Sequence, residues 1–125
     1  MLTRQQLLGS HRTKEIEVAE LGGTVFVRAI SGKERSALFA LNDKMQKDEM
    51  TVAEWGAACV AVFLCDADGG RMFKDDELAL VQEIDGSALD VIFRAGMDFN
   101  KIGRTSLEDA EKNSDATTTE GGTTT

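Results

Sequence analysis

Residues 14–30, KEIEVAELGGTVFVRAI, decide the fold class. Apolar and polar residues alternate on both sides of Gly22-Gly23: Ile16 and Val18 against Glu15 and Glu17, then Val25 and Val27. A period of two is the period of a strand. Two adjacent glycines suit a two-residue type I′ turn, because both of its central residues need positive φ. The segment is expected to be a β-hairpin. A turn at Gly22-Gly23 sets Val18 opposite Val27, Ile16 opposite Ala29 and Glu20 opposite Val25 on one face. It sets Glu17 opposite Arg28 on the other, an opposite-charge cross-strand pair.

Downstream, the period lengthens and helix starts are marked by chemistry. Ser31 with Glu34, Thr51 with Glu54 and Thr105 with Glu108 fit the capping box, in which two side chains satisfy each other's orphan amides. A first helix is expected over 32–46, burying Leu38, Leu41 and Met45. A second, over 52–64, is apolar nearly all round (Trp55, Cys59, Val60, Val62, Phe63) and should be central; its β-branched content leaves a buried strand as the alternative. A third helix should start near Asp75, with Asp75, Asp76 and Glu77 favourable at its positive end. A fourth is expected over 88–101, with Leu89, Ile92, Phe93, Gly96 and Met97 on one stripe, and a short fifth over 106–112.

Upstream, residues 1–12 are polar apart from Leu7 and Leu8 and are either a short helix or a flexible arm. Residues 113–125 hold no large apolar group and seven Ser or Thr, so they are expected to be a disordered tail. The expected architecture is α+β: an N-terminal β-hairpin, then a mainly α-helical bundle of four to five helices, in one folded domain over 13–112. The chain has no proline, so its turns fall to its 12 glycines and to Asp, Asn and Ser.

With 125 residues, 42 % hydrophobic and 29 % charged, the chain has the balance of one globular domain. A net charge of −8 argues against nucleic acid or an anionic membrane as partner. No apolar run reaches the ~20 residues of a membrane span, residues 1–12 lack the apolar core of a secretory signal, and the reading is cytosolic. Cys59 and Cys65 read as buried small hydrophobes. With His11 the only histidine, a structural zinc site lacks ligands. His11 itself reads as a solvated surface residue.

The sharpest chemical candidate is the acidic loop that follows the second helix. Asp66, Asp68 and Glu77 fall at positions 1, 3 and 12 of a calcium-binding helix–loop–helix, with Phe73 at the apolar position 8. Gly70 then stands where position 5 supplies a ligand, and Arg71 where position 6 needs glycine. No metal is therefore expected there, and a calcium-binding module is the alternative reading. No nucleophile has a base in reach by sequence, no carboxylate pair is singled out, and neither glycine pair carries the Lys and Ser or Thr of a phosphate loop. The chain reads as a non-enzyme without cofactor. Met72 and Phe73, beside the glycine turn, are candidate interface residues, since large exposed apolar groups mark partners.

The order of these elements resembles the tail assembly chaperone family of long-tailed bacteriophages with flexible, non-contractile tails. The resemblance rests on Val27-Arg28-Ala29-Ile30-Ser31 ending the hairpin and Gly32-Lys33-Glu34-Arg35 opening the helix. It also rests on the loop with Asp66, Asp68, Gly69 and Phe73, and on Lys112-Asn113-Ser114 before the polar tail; it spans about residues 13–114. It implies a protein of the host cytoplasm, made during infection and absent from the mature virion. Such a protein holds the aggregation-prone tape-measure protein and brings tail-tube subunits to it, the latter through a longer product made by programmed frameshifting. It also implies self-association into open, spiral-like homo-oligomers.

Overall fold

In the computed structural model, residues 1–9 and 12–103 are described. The fifth helix expected over 106–112, the tail over 113–125, Lys112-Asn113-Ser114 and His11 lie outside the described residues. A short helix α1 (Arg4–Gly9) precedes strands β1 (Thr13–Val18) and β2 (Gly23–Arg28). Helices α2 (Gly32–Gln46) and α3 (Val52–Phe63) follow, then strand β3 (Leu64–Cys65), a one-turn helix α4 (Leu78–Val81) and helix α5 (Gly86–Phe99). The three strands form one antiparallel sheet in the order β1-β2-β3. The architecture is the expected α+β one, a hairpin followed by packed helices.

The hairpin register differs from the expected one. Val18 stands opposite Gly23, Ile16 opposite Val25, and Glu17 opposite Thr24 rather than Arg28. The reason lies in the turn. Residues Ala19–Leu21 form a 3-10 turn closed by the Gly22 amide on the Ala19 carbonyl, 3.1 Å, and only Gly22 takes the left-handed conformation (φ 69°). Gly23 is already in the strand. The loop is thus four residues long, and the pairing moves by an even number of positions. An even shift keeps every side chain on its own face, so Ile16, Val18, Val25 and Val27 still point into the core. Arg28 is freed from Glu17 and used elsewhere.

Both long helices begin as their caps dictate. Ser31 Oγ accepts the Glu34 amide at 3.1 Å while Glu34 Oε1 accepts the Ser31 amide at 2.9 Å, and Thr51 with Glu54 repeats the exchange at 3.0 and 2.8 Å. Helix α5 starts two residues earlier than expected, because the Asp85 carboxylate accepts the Ala88 amide at 3.0 Å. Both α2 and α5 stop in Schellman motifs closed by non-glycine residues with positive φ, Asp48 at 62° and Lys101 at 56°. In the second, Ile102 N–H bonds to Met97 O at 2.8 Å and Lys101 N–H to Asp98 O at 3.1 Å, and Ile102 is buried behind it.

The apolar run after Thr51 splits between the two readings of it. It is helical through Phe63, then Leu64 turns extended and pairs with Val27, and Cys65 with Phe26. Helix α3 is central: Cys59, Val60, Ala61 and Phe63 are all fully buried, against Val27, Leu38, Val81 and Ile92. The helix expected near Asp75 is a 3-10 turn, Asp75–Glu77, leading into α4. No helix among the described residues is long and apolar enough to cross a membrane.

Candidate functional site

The acidic loop folds on itself. Asp66 Oδ1 accepts the backbone amides of Asp68 at 2.9 Å and Gly70 at 3.0 Å, and the Asp66 amide donates to Gly70 O at 2.9 Å. Gly69, at φ 89°, makes the reversal, and the chain returns so that Cys65 bridges Arg71. An aspartate that bonds amides two and four residues on is a turn-former. Glu77 is likewise used locally: its Oε1 accepts the Lys74 amide at 2.8 Å at the head of the 3-10 turn. Asp68 is exposed and contributes its backbone amide to Asp66. Among the described residues no three Cys, His, Asp or Glu side chains converge as a metal site, and Asp66, Asp68 and Glu77 are not brought together. Arg71, which stands at the sixth position, points inward instead. Its Nε donates to Ala61 O at 3.0 Å near the end of α3, and its other nitrogen pairs with Asp75 at 2.8 Å.

Met72 and Phe73 separate. Met72 is 49 % exposed, whereas Phe73 is half-buried and packs on the core cluster. The chain bends at both residues, and one side chain faces solvent while the other closes the core edge.

Arg28 organises the junction of sheet and helices. It is 6 % exposed; its Nε donates to Val62 O at 2.8 Å and its guanidinium pairs with the Glu34 carboxylate. Partial burial opposes the charge on Glu34, but hydrogen bonds from Arg28 and Ser31 outweigh it and hold the carboxyl below its usual value. Asn100, just past α5, reaches the same junction. Its side chain donates to Arg28 O at 3.0 Å and to Gly96 O at 2.9 Å, and accepts the Ile30 amide at 2.8 Å. One strand, two helices and the end of a third are fixed at this point, which makes it structural. Cys59 is buried and its thiol is pushed up to about 12 by burial alone; burial also raises Cys65, with Arg28 opposing and Asp66 adding to the rise. Thiolate is the reactive form of cysteine, and neither residue favours it.

What remains for contact is apolar surface. Leu2, Leu7 and Leu8 on and beside α1, Val52 at the head of α3, and Leu80 on α4 are all exposed by more than half. An open groove of about 460 Å³ also lies between the first turns of α3 and α5. Its walls are Val52, Ala53 and Gly56 on one side and Leu89 and Phe93 on the other, over the indole of Trp55. Trp55 meets Phe93 edge-on, ring centroids 5.6 Å apart, and its Nε1 donates to Leu38 O at 3.3 Å, so the floor is rigid. A short helix was one of the two readings of residues 1–12, and α1 is that helix; the groove was not anticipated. The cap of α1 was readable: Thr3 and Gln6 exchange side-chain bonds with each other's amides at 3.2 and 2.9 Å, a capping box with glutamine in the fourth place. The groove has no local signal, since it exists only through the packing of α3 on α5.

No protein-family model matches the sequence, and no curated protein matches it. Among solved structures, the fold matches that of the bacteriophage HK97 tail assembly chaperone. The TM-score is 0.56 at 23 % sequence identity, over 75 % of this chain and 94 % of that one. This chain has the fold of the HK97 tail assembly chaperone.

Proposed function

We propose that this chain is a tail assembly chaperone of a long-tailed phage with a flexible, non-contractile tail. The observation that carries the reading is the shared fold, which takes in nearly the whole of the HK97 protein. In this role the chain binds the tape-measure protein, keeps that long and aggregation-prone partner soluble, and gathers tail-tube subunits around it. A longer, frameshifted product makes the contact with the tube protein. The work is done in the host cytoplasm, and the chaperone leaves before the virion is finished. It involves neither nucleic acid nor membrane, no cofactor, and no catalysis.

The surface suits such work. A net charge of −8 keeps an excess of chaperone soluble. Exposed leucines and the apolar groove offer contact area of the kind that marks protein partners. Contacts between two different faces of identical copies build open chains unless their rotation closes a ring, which accords with a coat laid along an extended partner. The test is co-expression of the tagged chain with the tape-measure protein of the same phage. The two should elute together from affinity capture and stay together through gel filtration. A tape-measure protein that never accompanies the chain would remove the reading.

A further inference from the structure

The charges of this chain are unevenly placed. Residues 1–12 carry Arg4 and Arg12 and no Asp or Glu, while the other twelve Lys and Arg share the rest of the chain with all 22 acidic residues. On this basic segment stand Leu2, Leu7 and Leu8, each about two-thirds exposed. Arg4 and Leu8 lie one turn apart on the same side of α1. A six-residue helix is marginal in water without a partner surface. Exposed leucines on such a helix are the kind of surface that marks a partner contact.

The groove between α3 and α5 has the complementary chemistry. Its walls are apolar, with Val52 71 % exposed at the rim. The segments that build and flank it carry Asp48, Glu49, Glu54, Glu83, Asp85 and Asp90 against one cation, Arg94. Lengths agree as well: six helical residues span about 9 Å, and the wall from Gly86 to Phe93 about 10 Å. The arm and the groove lie toward opposite ends of α5. Arg12 is pinned beside Phe99, its guanidinium 4.9 Å from the ring centroid and its carbonyl accepting the Ala29 amide at 2.7 Å. Leu89, ten residues back along α5, is about 15 Å away. An arm leaving one end and a groove at the other is the geometry of a head-to-tail contact.

We infer that residues 1–9 of one copy occupy the α3–α5 groove of the next, with Leu7 and Leu8 against Val52, Leu89 and Phe93 and Arg4 at the acidic rim. This deepens the self-association included in the proposed function and rests on it. Two full-length variants test it without touching the core. Leu7→Glu/Leu8→Glu disables the arm at exposed positions. Gly56→Leu plugs the groove, because a Cβ at Gly56 meets nothing within 4 Å. Val52→Glu, at an exposed rim position, is the second groove variant should Gly56→Leu fold poorly.

Sedimentation velocity over a concentration series gives the readout. Wild type should exceed the 13.5 kDa chain mass increasingly with concentration, and each variant alone should stay at that mass. An equal mixture of the arm variant and a groove variant should form a dimer of twice that mass and nothing larger, since it retains one working arm and one working groove. Variants that associate like wild type would overturn the contact and leave self-association standing, as would a mixture that stays monomeric while wild type associates. A wild type that is monomeric at every concentration would overturn both, including by an arm folded into its own groove.

Discussion

Phe63 and Gly96 touch so closely that no side chain fits between them. A Cβ placed on Gly96 would stand 2.2 Å from Cδ2 and 2.4 Å from Cγ of Phe63. Phe63 is fully buried and has no space to swing into, so the glycine sets the distance between α3 and α5. That distance in turn sets the width of the groove nearer the start of both helices.

Gly96→Ala follows directly. In an open helix the change would stabilise by up to about 1 kcal/mol. Here the added methyl must push α5 off α3, and overpacking of this kind costs about 1–3 kcal/mol. A net loss of about 1–2 kcal/mol, or roughly 5–10 °C in melting temperature, is expected by calorimetry. Gly56→Ala is the control: it sits in α3 with free space around it and should raise the melting temperature slightly.

Arg28 and Glu34 make stability depend on pH in a defined direction. The Glu34 carboxyl lies below its ordinary value of 4.5 in the folded chain, so the unfolded chain binds that proton more readily. The stabilisation is complete above the ordinary value and is lost as pH falls through the folded one. Denaturant midpoints measured from about pH 6 to about pH 3 should decline, and Glu34→Gln should flatten that limb. Arg28→Met removes one partner of a largely buried pair and should cost about 3 kcal/mol at neutral pH.

Met72 and Phe73 should respond oppositely to truncation. Met72→Ala should change stability by less than ~0.5 kcal/mol, as surface substitutions do. Phe73→Ala should cost about 2 kcal/mol, because the ring closes the edge of the core. If Met72 contributes to partner contact, Met72→Glu will lower capture of the tape-measure protein without lowering the melting temperature; unchanged capture would remove Met72 from the contact surface.

Lys101 holds φ at 56°, a conformation that costs an L-residue about 1 kcal/mol. Lys101→Gly relieves it at an exposed position while the Schellman bonds from residues 101 and 102 stay intact. An increase of about 0.5 kcal/mol in unfolding free energy is expected, less than the full relief because glycine gains freedom in the unfolded chain.

Features specified by neighbours in sequence were legible, and those specified at a distance were not. Ser31 with Glu34 and Thr51 with Glu54 placed two helix starts, since a cap is a bargain among four consecutive residues. The hairpin register failed because Ala19–Leu21 close a 3-10 turn that leaves Gly23 in the strand, and Arg28, freed from Glu17, serves Val62 O and Glu34 instead. Leu64 and Cys65 become a strand only because β2, nearly forty residues earlier, offers an edge. Gly70 and Arg71 were legible as departures from a calcium-loop pattern, yet the use of Asp66 as its own turn-former needs the fold of that loop to be seen. Leu7 and Leu8 stood out as apolar on a polar segment, but whether that segment is a helix or an arm stayed open, although Thr3 and Gln6 mark the helix.

The claim that this chain is a tail assembly chaperone is tested most directly by the solubility of its partner. The candidate tape-measure partner is expressed at a fixed level while the chain is titrated upward, and the soluble fraction is measured after centrifugation. The account predicts that the soluble fraction rises with the ratio and saturates only when many copies of the chain accompany each tape measure. A tape-measure protein equally insoluble at every ratio, with this chain folded and in excess, would contradict it.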